Sequence, residues 1–198
     1  MELIFASNNA HKVDELRVAL PQGFSIRSLR EAGIDREIPE PHDSLEANAL
    51  EKASVISALT GGDCFSEDTG LEVTALGGAP GVHSARYAGD DRSPTANTDK
   101  LLRSLEGVED RSARFRTVIC LSLRGTAHYF EGTCPGSIAT APRGSGGFGY
   151  DPVFVPDGGD GRCFAEMSLE EKNRFSHRRK ATDKLVAFLK QLPQNPNS

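Results

Sequence analysis

The stretch CFSEDTG, residues 64–70, decides the fold because it joins a short apolar run directly to two acidic residues. The apolar run predicts a buried strand. Glu67 and Asp68 would then lie at the end of that strand, which is the edge where α/β proteins bind their ligands. The stretch therefore predicts an α/β fold with a site at this edge, although acids at a strand end can also serve solubility alone.

Strands and helices alternate on the N-terminal side of this stretch. Residues 3–6 are continuously apolar and predict one strand, and residues 24–29 predict a second. A second helix is predicted from a capping-box-like start at Asp43 and Glu46 to the glycine pair at 61–62. The first helix is indicated by apolar residues at helical spacing, which are Val13, Leu16 and Leu20.

On the C-terminal side, successive strands with short turns predict antiparallel pairing, and a second lobe in this part is an open alternative. The predicted elements are a loop at 77–81, a helix over 95–105, strands over 115–123, 127–131 and 136–139, and turns at 124–125 and 134–136. A strand over 153–155, a capping box at 168–171 and a helix over 181–191 follow. The sum is an α/β protein with a mixed sheet, whose strand order stays open.

Length and composition restrict the kinds of protein and partner that this chain can represent. A chain of 198 residues can fold as two tightly joined lobes or, by default, as a single domain over residues 1–198 in which only the tail at 193–198 lacks structure. The net charge of −5 argues against a polynucleotide or anionic-membrane surface, which needs a concentrated positive field. No apolar run approaches a membrane span, and the four cysteines form no CxxC pair. We therefore expect reduced thiols and a cytoplasmic location.

The glycine-rich loop GSGGFG at residues 144–149 matches the dinucleotide fingerprint GxGxxG only formally, because a strand follows it instead of a helix. No GxxxxGK[ST] sequence occurs, so a P-loop is also excluded. Two interpretations remain. The missing side chains would let the backbone and Phe148 approach a flat ligand, or the loop is a plain flexible turn.

Residues 7–12, SNNAHK, lie where the first strand leads into the first helix. Free backbone N–H groups, short polar side chains and Lys12 would converge there, which suits phosphate. The alternative is an N-capped helix with a solvated lysine. Asn48 and Lys52 share one helix face, which is either part of the same site or a wet surface.

Carboxylates are available without histidine or thiol partners at Glu67 and Asp68, and at Glu40 and Glu37 in a proline-broken loop. Hard oxygen ligands of this kind suit Mg²⁺, which takes one or two carboxylates together with substrate phosphates. The segment SHRR at 176–179 places an imidazole and two guanidiniums before the last helix, as an anion or base-edge site or as a charged turn. Together these groups indicate a nucleotide site.

Six blocks of the sequence, in order, resemble the inosine/xanthosine triphosphate pyrophosphatases, also called non-canonical purine NTP pyrophosphatases. In many members of this family Asp and Ser stand where Glu67 and Thr69 stand here, and Gly is frequent at the position of Asn8. The resemblance covers nearly the whole chain. The blocks are SNNAHK at 7–12, EANALEKA at 46–53, EDTGLEVTAL at 67–76, GGAPG with SARY between 77 and 87, GGFGYDP at 146–152 and SHR at 176–178.

The resemblance implies an elongated α/β fold with a mixed sheet, in which two lobes flank a central substrate cleft, usually within a homodimer. It implies hydrolysis of ITP, dITP, XTP or dXTP to the monophosphate and pyrophosphate, through attack of a Mg²⁺-activated water on the α-phosphorus. Such an activity cleanses the nucleotide pool. The implied partners are a small purine nucleoside triphosphate and a second copy of the chain, without a polynucleotide or a membrane.

Residue roles also follow from the resemblance. Asp68 would accept the proton and bind the metal, with Glu40 as a further ligand and Glu67 as a supporting or second-metal carboxylate. Lys12 and Lys52 would clamp the triphosphate. The other implied substrate residues are Ser7, Asn8, Asn9, Ala10, His11, Thr69, Phe148, Gly149, Tyr150, Asp151, Lys172, His177 and Arg178.

Two other functions stay open. A related house-cleaning pyrophosphatase for modified pyrimidine or methylated nucleotides would share the cleft but lack the His177-Arg178 block, and a substrate panel separates the two. A non-catalytic nucleotide-binding regulator would need the site but not the acids at 40, 67 and 68.

Overall fold

The computed structural model describes residues 2–20, 22–36 and 38–192, so that Glu37 and the tail at 193–198 lie outside the described residues. The strands are β1 (Glu2–Phe5), β2 (Ser25–Ser28), β3 (Cys64–Val73), β4 (Pro80–Gly81), β5 (Ser112–Leu123), β6 (Thr126–Ile138) and β7 (Phe154–Pro156). The helices are α1 (Ala10–Ala19), α2 (Leu45–Thr60), α3 (Pro94–Ser104), α4 (Leu169–Asn173) and α5 (His177–Gln191). Short 3₁₀ turns span Thr74–Leu76, Ser84–Arg86 and Phe164–Glu166.

These strands form one mixed sheet of order β2-β1-β3-β5-β6-β7, with β4 paired to β3. β1 pairs in parallel with β2 and β3, whereas β3, β5, β6 and β7 pair antiparallel in succession. The parallel end corresponds to the part of the sequence where strands and helices alternate. The predicted α/β fold with a mixed sheet is confirmed.

Helices cover both faces of the parallel end. On one face, α1 and α5 pack in a cluster that includes Phe65 of β3. On the opposite face, α2 packs in a second cluster that includes Cys64. A third cluster, which contains Leu71 and Phe115, holds the antiparallel end together with the segments around β7. Consecutive residues of β3 therefore face different helices, as the alternation of side chains along a strand requires.

The difference in length between β1 and β3 creates the space for a site. The two strands pair only at Ile4 with Cys64 and at Phe5 with Phe65, while β3 continues to Val73. Glu67 and Asp68 thus lie beyond the end of β1. The prediction that they end a short strand is wrong, because β3 runs for 10 residues and pairs with β5 over its whole length.

Two other predicted boundaries are wrong. Residues 134–136 do not turn but belong to β6, so that the predicted strands 127–131 and 136–139 are one strand. Pro135 fits there because its carbonyl accepts a bond from Asp157 N at 3.0 Å, so its missing N–H lies on the β7 side and removes no bond to β5. α5 begins at His177, earlier than predicted, because Ser176 caps it by accepting a bond from Arg179 N.

The helix after the proline-broken loop also starts one residue later than predicted. Ser44, and not Asp43, caps α2, since its hydroxyl accepts a bond from Ala47 N. Gly61 ends α2 in the left-handed conformation, as the sequence predicts. Within the described ranges, no helix is long and apolar enough to cross a membrane. All four cysteines are unpaired and buried, which fits the expected reduced thiols.

Candidate active site

A cavity of about 390 Å³ lies at the junction of the parallel and antiparallel parts of the sheet, a size common for small-molecule sites. The sequence did not predict Leu71, Ser84, Arg92 or Phe115, which also line this cavity. Most of the predicted substrate residues do line it. They are Asn9, His11, Lys12, Thr69, Phe148, Gly149, Tyr150, Asp151, Lys172, His177 and Arg178.

The loop before α1 is held by its own polar side chains. Asn9 Oδ1 caps the helix by accepting a bond from Lys12 N at 3.2 Å, and Ser7 Oγ accepts one from Asn9 N at 3.1 Å. Asn8 Oδ1 accepts a bond from Arg30 N at 2.8 Å, which ties the loop to the end of β2. Ala10 is the first residue of the helix. Hence the N–H groups at the start of α1 lie beside the cavity, where a helix N-terminus favours anions.

Lys12 is not the solvated lysine of the alternative interpretation. Its Nζ lies 3.0 Å from Glu67 Oε1, and only 19% of its side chain is exposed. Its charge opposes the effect of burial on both Glu40 and Asp68, so the Lys12 ammonium favours the charged form of each carboxylate, although burial still leaves the pKa of Asp68 raised. Lys12 therefore stands between the cavity and two acidic groups, a position that suits a phosphate ligand.

Glu67 and Asp68 lie on opposite faces of the sheet, because they are consecutive residues of one strand. Asp68 faces α2, where its carboxylate accepts bonds from Asn48 Nδ2 and from Lys52 Nζ, both at 3.2 Å. Glu67 faces α5, where Arg178 Nε lies 2.8 Å from Oε2. The two acids thus belong to two different groups of side chains.

The group on the α2 face consists of Glu40, Asn48, Lys52 and Asp68 and is called the α2 cluster here. Lys52 Nζ lies 2.6 Å from Glu40 Oε1 and 3.2 Å from Asp68 Oδ1, so the two carboxylates share one cation. Asn48 is 0% exposed and Lys52 is 6% exposed. The alternative that these two residues form a wet surface is therefore wrong.

The pKa values of the two acids in the α2 cluster are shifted in opposite directions. Burial raises the pKa of Asp68, and the neighbouring Glu40 carboxylate raises it further against the opposing effect of Lys52. Burial also acts to raise the pKa of Glu40, but the Lys52 ammonium and its hydrogen bond outweigh burial, and the pKa of Glu40 is lowered. At neutral pH, Asp68 is therefore the better proton acceptor of the pair.

The group on the α5 face is a chain of buried ion pairs, called the α5 network here, with alternating charge. Asp151 pairs with Lys172 at 2.8 Å, Lys172 pairs with Glu15 at 3.0 Å, and Glu15 in turn pairs with Arg178. Arg178 then pairs with Glu67, which pairs with Lys12. The chain runs without interruption from the glycine-rich loop to the N-terminus of α1.

Glu15 was not among the predicted site residues, although it is central to the α5 network. It is only 8% exposed. Burial acts to raise its pKa, but the charges of Arg178 and Lys172 lower the pKa of Glu15 below its ordinary value. In the sequence, Glu15 looks like any acidic residue of an amphipathic helix, and only its partners distinguish it.

Aromatic rings also line the cavity. His11 stacks on Phe148 with 5.1 Å between ring centroids and an angle of 11°. His177 stacks on Phe115 at 4.6 Å and 14°. Tyr150 also lines the cavity, and its hydroxyl donates to Ser84 O at 2.9 Å. Flat apolar surfaces of this kind suit a planar heterocycle.

His177 is buried and carries an unsatisfied polar atom. Among the buried side-chain nitrogen and oxygen atoms of the described residues, His177 Nδ1 is the one that has no hydrogen-bond partner. Burial lowers the pKa of His177 well below its ordinary value, and the charges of Arg178 and Lys172 lower it further. The imidazole is therefore neutral at pH 7, and a ligand that bonds Nδ1 would remove the cost of an unpaired group.

Two glycines without a Cβ allow segments around the cavity to pack closely against each other. Gly147 has φ +70°, and a Cβ there would lie 2.1 Å from Asp151 Oδ2. The same Asp151 oxygen accepts a bond from Phe148 N at 2.8 Å. The glycine-rich loop is thus anchored beside the cavity, which contradicts the interpretation as a plain flexible turn. A Cβ on Gly132 of β6 would lie 2.0 Å from His177 O, so this glycine lets the first turn of α5 contact the sheet.

The three acids predicted as metal ligands do not lie in one group among the described residues. Among residues 2–20, 22–36 and 38–192, no group of three or more His, Cys, Asp or Glu side chains is arranged to hold a metal ion. Glu67 is separated from the other predicted ligands because its oxygens are bound by Arg178 and Lys12 on the opposite face. Glu40 and Asp68 already share one cation, and two carboxylates with substrate phosphates are a donor set that fits Mg²⁺.

Comparison with known proteins finds matches over nearly the whole chain. The Ham1 family model matches residues 3–188. The dITP/XTP pyrophosphatase of Flavobacterium psychrophilum is 47% identical over 190 residues, which cover 96% of this chain and 100% of that protein. The dITP/XTP pyrophosphatase of Porphyromonas gingivalis is 51% identical over 189 residues, which cover 95% and 97%.

Solved structures agree with these matches. The structure of a HAM1 protein from Coxiella burnetii superimposes with a TM-score of 0.88 at 34% identity, covering 97% of this chain and 100% of that chain. The Staphylococcus aureus Ham1 protein gives a TM-score of 0.86 at 38% identity, with coverages of 96% and 98%. The mixed α/β fold with a curled mixed sheet is therefore shared with both.

Proposed function

This chain belongs to the Ham1 family, and we propose that the cavity and the α2 cluster are where it hydrolyses non-canonical purine nucleoside triphosphates, such as dITP and XTP, to the monophosphate and pyrophosphate. One observation carries the assignment of the site. An aromatic cavity of nucleotide size adjoins a buried pair of carboxylates, Glu40 and Asp68, that share a cation next to Lys12. The aromatic rings suit the base, and Lys12 together with Lys52 suits the phosphates.

Three groups are proposed to bind the triphosphate. The free N–H groups at the start of α1 donate to a phosphate, helped by the helix dipole. Lys12 and Lys52 neutralise the phosphate charge, and both already lie against carboxylates at 3.0 Å and 2.6 Å. Ser7, Asn8 and Asn9 hold this loop in place through the bonds described above.

Glu40 and Asp68 are proposed to hold Mg²⁺, and Glu67 is proposed to position Lys12 and Arg178 instead. When bound, the ion neutralises phosphate charge and lowers the pKa of a coordinated water. The donor chemistry supports this choice, because hard carboxylate oxygens without thiol or imidazole partners favour Mg²⁺.

Asp68 is proposed to act as the general base. The attacking water forms a bond from its oxygen to the α-phosphorus, and its proton passes to the Asp68 carboxylate. The bond between the α-phosphorus and the bridging oxygen breaks, and pyrophosphate leaves with its charge balanced by Lys12 and Lys52. The raised pKa of Asp68 suits this role, because a base is most effective when its pKa approaches the working pH.

The base is proposed to be selected at its 6-position. Hypoxanthine and xanthine present a 6-oxo acceptor, whereas adenine presents a 6-amino donor. Lys172 and Arg178 offer only donors, and the buried Nδ1 of His177 is proposed to carry the proton of the neutral imidazole and to donate to the 6-oxo group. A 6-amino group would then meet only donors, and an unpaired buried donor costs about 1–3 kcal/mol. Phe148 would stack on the base without distinguishing one purine from another.

A substrate panel tests the proposed function. The protein is incubated with Mg²⁺ and ITP, XTP, GTP, ATP or a methylated or modified pyrimidine triphosphate, and both pyrophosphate and orthophosphate are measured. We expect pyrophosphate from ITP and XTP at rates at least about tenfold above that for ATP, the effect of about 1.4 kcal/mol. GTP carries the same 6-oxo group, so its rate measures whether the 2-amino group is rejected as well. Orthophosphate alone would exclude the proposed bond cleavage. A preference for the pyrimidine would favour the related house-cleaning activity, and binding without turnover would favour a regulator.

A homodimer and a cytoplasmic location complete the proposal. The unpaired cysteines support a reducing compartment, and cell fractionation tests it. Sedimentation velocity tests the dimer, for which we expect about twice the chain mass of 21.3 kDa. Sedimentation at the mass of one chain at micromolar concentration would exclude a stable dimer.

A further inference from the structure

Asn48 makes three hydrogen bonds, and all of them lead to the proposed catalytic end of the cleft. Nδ2 donates to His42 O and to Asp68 Oδ2, both at 3.2 Å, and Oδ1 accepts from His42 N at 2.9 Å. His42 lies two residues after Glu40 in the same loop. Asn48 thus joins the carboxylate of Asp68 to the backbone that carries Glu40.

Only a carboxamide of this length makes these three bonds. The side chain must accept from one backbone group of His42 and donate to the other, so it must carry a donor and an acceptor side by side. A carboxylate could not donate to His42 O or to Asp68, and an aliphatic side chain would leave both His42 groups without a partner. Because Asn48 is 0% exposed, the polar groups that lost their partner would be buried away from water, and each would cost free energy of folding.

Lys52, one helical turn further on, also contacts both carboxylates, but it differs from Asn48 in charge. As a cation it competes with a divalent ion for Glu40 and Asp68. Asn48 is neutral, so it does not compete. It binds Asp68 through Oδ2, while Lys52 binds Oδ1. Asn48 can therefore keep its bonds while the cation on the two carboxylates changes.

We propose that Asn48 is a positioning residue that fixes Glu40 and Asp68 relative to each other so that they can share one divalent cation. The inference rests on the proposed function, in which these two carboxylates hold Mg²⁺. It assigns Asn48 no contact with the substrate.

The test measures cation binding without turnover. Mn²⁺ is titrated into protein saturated with the α,β-methylene analogue of ITP, and free Mn²⁺ is counted by electron paramagnetic resonance. In Asn48→Ala we expect Mn²⁺ affinity to fall about tenfold or more, the effect typical of losing a residue that orients metal ligands. Affinity for the analogue in EDTA should change less than about twofold. Asn48→Ser, which leaves room for a water, repeats the measurement if the alanine variant does not fold.

Arg111→Met is the control. Arg111 does not line the cavity, and it clamps another loop, since its guanidinium donates to Ile138 O at 2.7 Å and to Leu105 O and Ala139 O, both at 2.9 Å. Its described hydrogen bonds reach no carboxylate. We expect its melting temperature to fall while Mn²⁺ affinity stays within about twofold of wild type.

Three results would overturn the inference. They are wild-type Mn²⁺ affinity in the Asn48 variants, an equal loss in Arg111→Met, and absence of Mn²⁺ binding by the wild type. Hydrolysis of ITP by the wild type is scored separately. If the wild type releases no pyrophosphate, the proposed function fails, whereas normal hydrolysis with unaltered Mn²⁺ binding in the Asn48 variants rejects the role of Asn48 alone.

Discussion

Glu67 and Asp68 are adjacent in β3, yet their carboxylates lie on opposite faces of the sheet. Glu67 pairs with Arg178 at 2.8 Å in the α5 network, and Asp68 pairs with Lys52 at 3.2 Å in the α2 cluster. Their pKa values shift in opposite directions. Burial raises the pKa of Asp68, whereas Arg178 and Lys12 outweigh burial and lower the pKa of Glu67. Neutralising one acid or the other should therefore have opposite effects on stability.

Asp68→Asn should abolish most of the activity without unfolding the protein. The amide cannot accept a proton, so we expect kcat for ITP to fall about 10²- to 10⁴-fold, the range of general-base catalysis. Because the folded state disfavours a charged Asp68, the free energy of unfolding should stay the same or rise. Steady-state kinetics and urea unfolding measure the two effects. Turnover near that of wild type would show that Asp68 is not the base.

Glu67→Gln should act mainly on stability. Its removal leaves Arg178 buried with one acidic partner fewer, and breaking a buried ion pair costs about 3–5 kcal/mol. Urea unfolding at pH 7 measures this loss. Glu2→Gln is the control, because Glu2 pairs with Arg27 at 3.6 Å in an exposed position, where such a pair contributes at most about 1 kcal/mol. Equal effects of the two substitutions would mean that the α5 network adds no stability of its own.

Lys52→Met should tighten cation binding but slow turnover. The substitution keeps a long apolar stem and removes the charge that Glu40 and Asp68 share. Without this competitor, we expect Mn²⁺ to bind at least about tenfold more tightly in the absence of nucleotide, an effect of about 1.4 kcal/mol. kcat should fall because the phosphates lose a positive charge.

Mn²⁺ titration followed by electron paramagnetic resonance, and ITP kinetics, check both parts of this prediction. Lys100→Met serves as the control, because Lys100 Nζ donates to Tyr87 O at an exposed position. Unchanged or weaker Mn²⁺ binding in Lys52→Met would contradict the idea that the lysine and the divalent cation use the same carboxylates.

The element order was predictable because the signals for it are local. Apolar spacing and caps placed α1, α2 and α3 close to their actual positions. The continuity of β3 through Glu67 was not predictable, since it depends on pairing with β5, a long-range contact. For the same reason the sequence could not show that Glu67 and Asp68 separate onto two faces. The expectation of one domain over residues 1–198 stays a prediction.

Buried polar residues were the least predictable part of the site. The spacing of Asn48 and Lys52 is the same on a wet surface and in a buried cluster, and what distinguishes the two is Asp68, 20 residues from Asn48. The role of Glu15 is even harder to predict from the sequence, because its partners Lys172 and Arg178 are 157 and 163 residues away. Side chains of this kind are identified by their partners, and a local pattern contains no information about those partners.

Gly132→Ala should reduce the preference for ITP over ATP. A Cβ at this position would lie 2.0 Å from His177 O and 2.5 Å from Ala181 N, so the first turn of α5 would have to move away from β6. His177 and Arg178 would move with it. We expect a stability loss of about 1–3 kcal/mol from overpacking and a smaller ratio of kcat/KM for ITP to that for ATP.

Gly62→Ala is the control for Gly132→Ala, because the nearest atom to its added Cβ would be Thr60 Oγ1 at 3.7 Å, an ordinary contact. It should keep the wild-type ratio. An unchanged ratio in Gly132→Ala would show that the position of the first turn of α5 does not determine base selection.

His177 should make the protein less stable as the pH falls below about 6.5. Burial lowers the pKa of His177 well below 6.5 in the folded state, so on acidification the unfolded chain binds a proton before the folded chain does. The full stability is present above the unfolded pKa of about 6.5, and it decreases by up to about 1.4 kcal/mol per pH unit until the folded pKa is reached. His177→Gln removes this contribution. The free energy of unfolding in urea should therefore fall less between about pH 7.5 and pH 5.5 in the variant than in wild type.

The comparison of His177→Gln with His83→Gln separates the effect of a buried imidazole from the mere loss of a histidine. His83 is exposed, so His83→Gln serves as the control and should retain the wild-type change in the free energy of unfolding with pH. If His177→Gln also retains it, the imidazole is not held neutral by burial. The bond proposed between its Nδ1 and the purine would then have to compete with water, and its contribution to base selection would be lost.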